Sequence, residues 1–329
     1  MKNRNNMLSI LFILLLILLT ACGNEEQNVG VQEETTAGVE GEQGASKLED
    51  DQTTETETRT YEHMEGTTEI PMKPERVVTD WYYGQLVVLG VKPIGTNDYV
   101  WKNHPFIERQ GTESVGSSFE KIIELDPDLI LSWGADKYED YSKIGPTIPL
   151  ELNGGPIESV ELFGDILGRS EEAQQWITSF EEKSADARAR LDEKIGEEET
   201  FSIINVFEDT IRVYGFVNMG GYALYEALEL KPSPLVESTF KDTEEWYREV
   251  SMEVLPDFAG DHIILTTYDP EGNDPTLQEL KDSEVWKGLE AVQNNRVYEV
   301  EFNHLYFDDP IAIENQVEIL TDTILNSEH

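Results

Sequence analysis

From Ser170 to Gly196 the chain runs without a proline or glycine until its last position, and Ala173, Trp176, Ile177, Phe180, Ala187, Leu191 and Ile195 recur at helical spacing. Ser170 is an N-cap residue type, Glu171 and Glu172 place negative charge in the first turn, and Gly196 is a natural stop. Strand-rich sequence lies on both sides. A helix this long and uninterrupted reads as a spine joining two lobes, the alternative being a surface helix of a single domain.

On either side, short apolar runs alternate with helical patterns, the arrangement of α/β layers. Before the spine, Arg76–Thr79 and Asp128–Trp133 read as strands, Trp81–Leu89 and Ser118–Leu125 as helices, and Tyr99, Trp101, His104 and Phe106 as an aromatic loop. After it, Phe201–Val206, Ile211–Gly215, His262–Tyr268 and Arg296–Val300 read as strands. Gly220-Gly221 opens a helix to Leu230, Leu277–Leu289 is helical, and Pro310–Leu325 is a terminal helix with proline at its first position.

The two flanks echo each other. Ser118, Glu120, Ile122, Leu125, Asp128 and Ile130 are matched by Ser251, Glu253, Leu255, Phe258, Asp261 and Ile263 at a constant offset of 133. Each copy reads as a capped helix entering a buried strand. A glutamate beside a helix N-terminus is electrostatically favourable, which accounts for either one alone but not for the same residue at the same point twice.

The N-terminus belongs to a different class of sequence. Lys2 and Arg4 precede an apolar run, Leu8–Leu19, that is short for a membrane span, and Leu19-Thr20-Ala21-Cys22 follows at once. Residues 1–22 therefore read as a signal peptide whose last four residues resemble a bacterial lipobox, with Cys22 lipidated. Cys22 is the chain's single cysteine, which leaves no intrachain disulfide or multi-cysteine metal site. Residues 23–66, rich in Glu, Thr, Gln and Gly, read as a disordered acidic tether. The body then divides into a lobe at 67–169, the connecting helix at 170–196 and a lobe at 197–329. A formal net charge of −43 argues against nucleic acid and against unaided binding to an anionic membrane surface.

Lipobox, acidic tether, lobe, spine, lobe and a Ser-x-Glu ahead of each Asp-x-Ile strand together resemble the substrate-binding lipoproteins of iron-siderophore and vitamin B12 ABC importers. Val78–Tyr82 with Leu89–Gly95, Glu120–Leu131, Trp286–Leu289 with Arg296–Val300, and Phe307–Pro310 are similar to the Gram-positive ferric-hydroxamate branch, over about 76–325. The resemblance implies two α/β lobes joined by one long helix, as in class III periplasmic binding proteins, with a ferric siderophore as ligand and no intrinsic cofactor. It implies a monomer, held by lipidated Cys22 on the extracellular face of the cell membrane, whose Glu120 and Glu253 dock onto the two halves of an ABC permease.

Aromatic walls and a few cationic donors suit such a ligand. Tyr99 and Trp101 in the aromatic loop, Tyr306 in a late loop, and Trp133 and Tyr214 at strand ends, where open α/β sheets bind ligands, are the aromatic candidates. The hydroxamate branch carries an arginine just ahead of Gly220-Gly221. Here Met219 stands there, so Arg248 beside Trp246 and Tyr247 is the substitute donor, with Arg109 and Lys102 behind it.

The competing cargoes are haem, cobalamin, ferric citrate and a bare metal ion. Met219 or His304 would serve haem as axial ligand, and His104 with His304 would chelate a metal, although both histidines read as surface loop residues. The competing class is a lipid-anchored hydrolase. The sequence holds no Gly-x-Ser-x-Gly, His-Glu-x-x-His or phosphate loop, and Asp308-Asp309 reads as a solvated pair before Pro310, so no catalytic residue is assigned.

Overall fold

The computed structural model describes residues 57–327 except 153 and 274. The signal segment, Cys22 and most of the expected tether lie outside the described residues. The folded body begins earlier than composition suggests. Thr58–His63 (β1) and Gly66–Pro71 (β2) form an antiparallel hairpin, so the tether boundary at 66 is corrected. An isolated hairpin is marginal in water. This one is fastened to the body: Ile70 is buried, Tyr61 packs on the core, and the Thr68 hydroxyl donates to the Thr147 carbonyl at 3.1 Å.

The first half continues with Val77–Thr79 (β3), Tyr83–Val88 (α1), Gly95–Thr96 (β4), Asp98–Asn103 (α2), Glu113–Ser114 (β5), Phe119–Leu125 (α3), Leu129–Trp133 (β6), Tyr138–Tyr141 (α4), Thr147–Leu150 (β7) and Pro156–Ile166 (α5). The strands form a parallel sheet in the order β5-β4-β3-β6-β7. β3 and β7 are buried throughout and β6 up to Trp133, as expected of strands covered on both faces. The expected aromatic loop at Tyr99 and Trp101 is instead a helix. Asn97 caps α2 by accepting the Val100 N–H at 2.8 Å.

The long helix is Ser170–Asp192 (α6), with Ala173, Trp176, Ile177, Phe180, Ser184, Ala187 and Leu191 on its buried face. Ser170 is its first helical residue and not its cap; Arg169 holds the cap position without a side-chain bond, and the helix stops four residues before Gly196. The corner between α5 and α6 requires glycine. Gly168 has φ 63°, and a Cβ there would stand 2.3 Å from the Met72 carbonyl oxygen.

The second half comprises Thr200–Phe207 (β8), Thr210–Tyr214 (β9), a π-helical segment Tyr222–Ala227, Lys231–Pro232 (β10), Pro234–Phe240 (α7), Tyr247–Val250 (β11), Leu255–Phe258 (α8), His262–Tyr268 (β12), Thr276–Asp282 (α9), Glu284–Lys287 (α10), Glu290–Gln293 (α11), Val297–Glu299 (β13), Phe302–Tyr306 (α12) and Pro310–Asn326 (α13). The helix expected over 277–289 is broken at Ser283, whose side chain caps α10. The sheet runs β11-β9-β8-β12-β13, with β10 also on β8. β8, β12 and β13 are parallel; β9 and β11 return antiparallel.

Two helices join the halves by packing. α6 lies against α5 and α1 on one side and the π-helical segment on the other. α13, expected with the second lobe, also packs on α1 and the π-helical segment, and on α6. The α6–α13 contact runs in parallel register. Glu314 meets Trp176 Nε1 at 3.2 Å and Lys183, Arg190 meets Asp322 at 2.8 Å, and Lys194 donates to the Ile324, Leu325 and Ser327 carbonyls. Buried residues of both halves form one continuous core.

Candidate functional site

The carboxyl ends of the central strands set the site. Beyond β3, the Thr79 hydroxyl accepts the Tyr82 N–H at 2.9 Å and turns the chain at Trp81, which is half-buried against the core. Asp80 accepts the Trp133 N–H at 2.7 Å, tying the end of β6 to that of β3, while Lys137 Nζ approaches its other oxygen at 3.6 Å. Burial pushes the Asp80 carboxyl above its ordinary value despite these partners. Asn97, capping α2, also donates to the Asp80 carbonyl, which brings Tyr99 against Trp81.

In the second half, register does the same work. Tyr268 pairs with Phe207 across β12 and β8, and their rings stack at 4.7 Å. Phe302 of α12 lies 4.7 Å from Tyr268, and Tyr306 lies 5.1 Å from Phe302. Tyr306 meets Tyr99 at 5.6 Å, and there the two halves join.

The result is an unbroken row of rings. It runs from Trp133 to Trp81 (6.1 Å), Tyr99 (6.3 Å), Tyr306, Phe302, Tyr268 and Phe207. It ends at Arg212, whose guanidinium lies 3.9 Å from the Phe207 centroid and 4.7 Å from that of Tyr247. Tyr214 closes the row, 5.4 Å from Tyr247. Trp133 is 63 % exposed, and Tyr99 and Tyr247 also remain open to solvent, while Phe302 and Tyr214 are buried in the core, so the row opens to solvent at these three rings and is anchored in the core between them. A cleft of about 620 Å³ opens beside it, between Tyr99 and Asn103 on one wall and Thr266, Tyr268 and Phe302 on the other. Burial and the adjoining Tyr306 hydroxyl push the Tyr99 phenol upward, so it stays neutral.

The structure thus brings together Tyr99, Trp133, Tyr214 and Tyr306. It places two other sequence candidates elsewhere. Trp101 donates from Nε1 to the Thr112 carbonyl at 3.1 Å and lies under Arg109, whose side chain is spent on the Trp101, Lys102 and His104 carbonyls. Arg248 pairs in register with Val213, while Tyr247 and Glu249 pair with Tyr214 and Arg212. Arg248 therefore points to the opposite sheet face, where Glu245 holds it at 2.6 and 2.9 Å. The cation in the row is Arg212, ion-paired to Glu249 at 3.1 Å. Its signal in the sequence was its position two residues before Tyr214, on the same strand face.

Other expectations change too. His104 is fully buried rather than a loop residue, and Asp309 is buried rather than solvated: His104 Nε2 meets Asp309 Oδ2 at 2.6 Å. Phe106 separates His104 from His304, at 5.9 and 5.6 Å between centroids, so the two do not chelate. Met219 is buried, not a wall of the cleft. Among the described residues, no three His, Cys, Asp or Glu side chains are grouped to hold a metal ion, and no helix is long and apolar enough to cross a membrane.

Glu120 and Glu253 are both exposed and lie outside the row. The 133-residue echo holds in side-chain bonds, but the capped helix expected of the second copy is corrected: Ser118 caps α3 with Glu120 in its first turn, whereas α8 begins only at Leu255, has no side-chain cap, and leaves Glu253 ahead of it. Ser118 Oγ donates to Glu120 Oε2 at 3.1 Å, and Ser251 Oγ to Glu253 Oε2 at 3.1 Å. Asp128 accepts the Glu75 and Arg76 N–H groups at the start of β3, as Asp261 accepts the Thr200 N–H and hydroxyl at the start of β8.

Residues 89–303 match the periplasmic binding protein family. The chain belongs to that family. It is 32% identical over 334 residues to the iron(3+)-hydroxamate-binding protein YxeB of Bacillus subtilis (strain 168), covering 98% of this chain and 97% of that one. A FhuD-fold periplasmic binding protein component of a Fep/Fec-like ferrichrome ABC transporter from Bacillus subtilis superposes with a TM-score of 0.73 at 33% identity, covering 81% of this chain and all of that one. SirA of Staphylococcus aureus, solved in complex with staphyloferrin B, does so with a TM-score of 0.69 at 28% identity, covering 82% and 99%. The periplasmic-binding fold is the class III type, two α/β halves without a strand hinge.

Proposed function

We propose that this chain is the substrate-binding component of an ABC importer that captures a ferric siderophore of the hydroxamate type and hands it to the permease. The observation that carries this reading is the row of aromatic rings that spans both halves, opens to solvent at Trp133, Tyr99 and Tyr247, and takes in Arg212. A ferric siderophore supplies all of iron's ligands itself, so its protein site needs walls that fit a bulky amphipathic shell, and flat rings with one cation meet that need. The names of the similar proteins point to the same cargo class. The net charge of −43 favours neutral or cationic complexes over highly anionic ones.

In this reading Cys22 carries a lipid that holds a monomer at the outer face of the cell membrane. Glu120 and Glu253, each bonded to a serine two residues earlier, each meet a cation on one half of the permease. Titration of tryptophan fluorescence with ferrioxamine B, ferrichrome, a ferric catecholate, ferric citrate and haemin tests the cargo. Trp81 and Trp133 lie in the row, so saturable quenching by the hydroxamates is expected. Quenching by haemin or ferric citrate alone overturns the assignment.

A further inference from the structure

Beneath the aromatic row the second sheet carries a polar pair that its own protein does not satisfy. Asn205 of β8 and Thr266 of β12 are paired in register. Asn205 is fully buried and Thr266 is 1 % exposed. Neither the Asn205 carboxamide oxygen, nor its nitrogen, nor the Thr266 hydroxyl has a hydrogen-bond partner in the protein. Buried polar groups are nearly always bonded, and an unmade bond at such a site is costly. Three such atoms on adjacent strands therefore call for a common partner.

Their position says what that partner meets. Strand side chains alternate, so Asn205 and Thr266 share a face with Phe207 and Tyr268, one repeat (about 7 Å) further along. Thr266 lines the cleft itself; Asn205 does not, and lies fully buried beside it on the neighbouring strand. On the other side of Asn205, in register, is Arg212. Glu249, Arg212, Asn205 and Thr266 thus form one transverse polar line across β11, β9, β8 and β12. Arg212 and Glu249 satisfy each other; the inner two members offer one carbonyl, one amide N–H₂ and one hydroxyl, all uncharged. A charged group brought there would lose its hydration without an opposite charge on these two side chains. An uncharged amide or hydroxyl both gives and takes hydrogen bonds and matches the set.

Building on the siderophore reading, we propose that Thr266 at the cleft wall, with Asn205 behind it, forms a subsite that hydrogen-bonds an uncharged amide or hydroxyl group of the ligand's organic arm. Iron and its first ligand shell stay against the aromatic rows. The pair is then a specificity device: it separates ligands with long polar arms from ligands presenting the same iron core alone.

The test compares ferrioxamine B, whose chain carries amides, with the iron(III) complex of acetohydroxamate, which has the hydroxamate core and no arm. Fluorescence titrations are run on the wild type, Asn205→Ala and Thr266→Val, with urea unfolding of each ligand-free protein as control. Each substitution is expected to raise the Kd for ferrioxamine B roughly three- to tenfold, the worth of one neutral hydrogen bond, and to leave the armless complex unchanged. Thr266→Val is expected to keep or raise the unfolding midpoint, because it removes a group with no protein partner. Equal weakening of both ligands, or a destabilised Thr266→Val with unchanged affinity, overturns the subsite. A wild-type protein that binds neither hydroxamate overturns the siderophore reading instead.

Discussion

Asp309 is the residue on which the placement of the terminal helix turns, and its replacement yields a sharp expectation. Its Oδ1 accepts the Ala312 N–H at 3.2 Å and caps α13, while Oδ2 takes His104 Nε2 at 2.6 Å. The Phe106 N–H donates to His104 Nδ1 at 3.2 Å, so the ring proton sits on Nε2 and is given to Asp309. Asp309→Ala loses a cap, about 1 kcal/mol, and strands a buried imidazole donor, about 1–3 kcal/mol. The expected loss is about 2–4 kcal/mol in all. Asp309→Asn separates the two parts. Asparagine caps as well as aspartate, but it has a single acceptor oxygen; if that faces Ala312, its N–H₂ faces the His104 N–H, donor against donor. The histidine cannot switch tautomer without turning Nδ1–H onto the Phe106 N–H. Asp309→Asn should therefore cost about 1–3 kcal/mol with the cap intact. Urea unfolding followed by far-ultraviolet circular dichroism measures both, and a cycle with His104→Leu should give a coupling of about 1.5–3 kcal/mol, as for a hydrogen bond to a charged group. An Asp309→Asn protein within about 0.5 kcal/mol of wild type, or additive single substitutions, would refute the argument.

Four further outcomes are expected. Arg212→Met removes the cation from between Phe207 and Tyr247, a loss of about 1–2 kcal/mol of contact to a ligand at the row, or roughly five- to thirtyfold in Kd by fluorescence titration; an unchanged Kd removes Arg212 from the site. Glu120→Lys with Glu253→Lys should abolish uptake of radiolabelled ferric siderophore while Kd stays within about twofold, since both carboxylates are exposed and screened; surviving uptake ends the docking proposal. Asp80 has its carboxyl raised by burial, so the charged form is disfavoured in the fold, and stability present below the ordinary value of about 3.9 is lost as pH rises through the raised one. Asp80→Asn keeps an acceptor for the Trp133 N–H and should match or exceed wild-type stability at pH 7, with the gap closing near pH 3.5; a variant less stable at both pH values contradicts this. Gly84→Ala would set a Cβ 1.8 Å from Asp309 Oδ1 and should lower stability by about 1–3 kcal/mol in urea unfolding, or the Gly84–Asp309 contact is looser than it looks.

What the sequence made legible was whatever is local. α6 shows itself through an uninterrupted apolar face, α3 and β6 through a cap followed by a buried run, and α13 through Pro310 at its first position. The β1–β2 hairpin does not, because its strands are mostly polar and owe their order to Tyr61, Ile70 and the Thr68–Thr147 bond across the fold. In the site, Trp133 and Tyr214 stood out as aromatics at strand ends, and Tyr99 and Tyr306 as aromatics in stretches read as loops. Trp81, Phe207, Tyr268 and Phe302 did not, since each sits in or beside an apolar run and looks like core until neighbouring strands are in register. Arg248 and Arg212 exchange roles for the same reason: which of them faces the rings is set by one residue of register between β9 and β11.

The parallel pairing of α6 with α13 bears on the energetics of capture. A lone connecting rod can bend and twist; two rods bonded along their length by Glu314, Asp322 and Lys194 resist both. A binding protein that shuts on its cargo loses apparent affinity in proportion to how rarely the shut form is visited when empty. Here the two halves are held by paired helices and touch at Tyr99 and Tyr306, so in the proposed reading that loss is small. The association rate should then follow encounter alone and fall with solvent viscosity, with no slower closing phase behind it. In the proposed importer the cost then moves to the other end of the cycle, to the release of cargo.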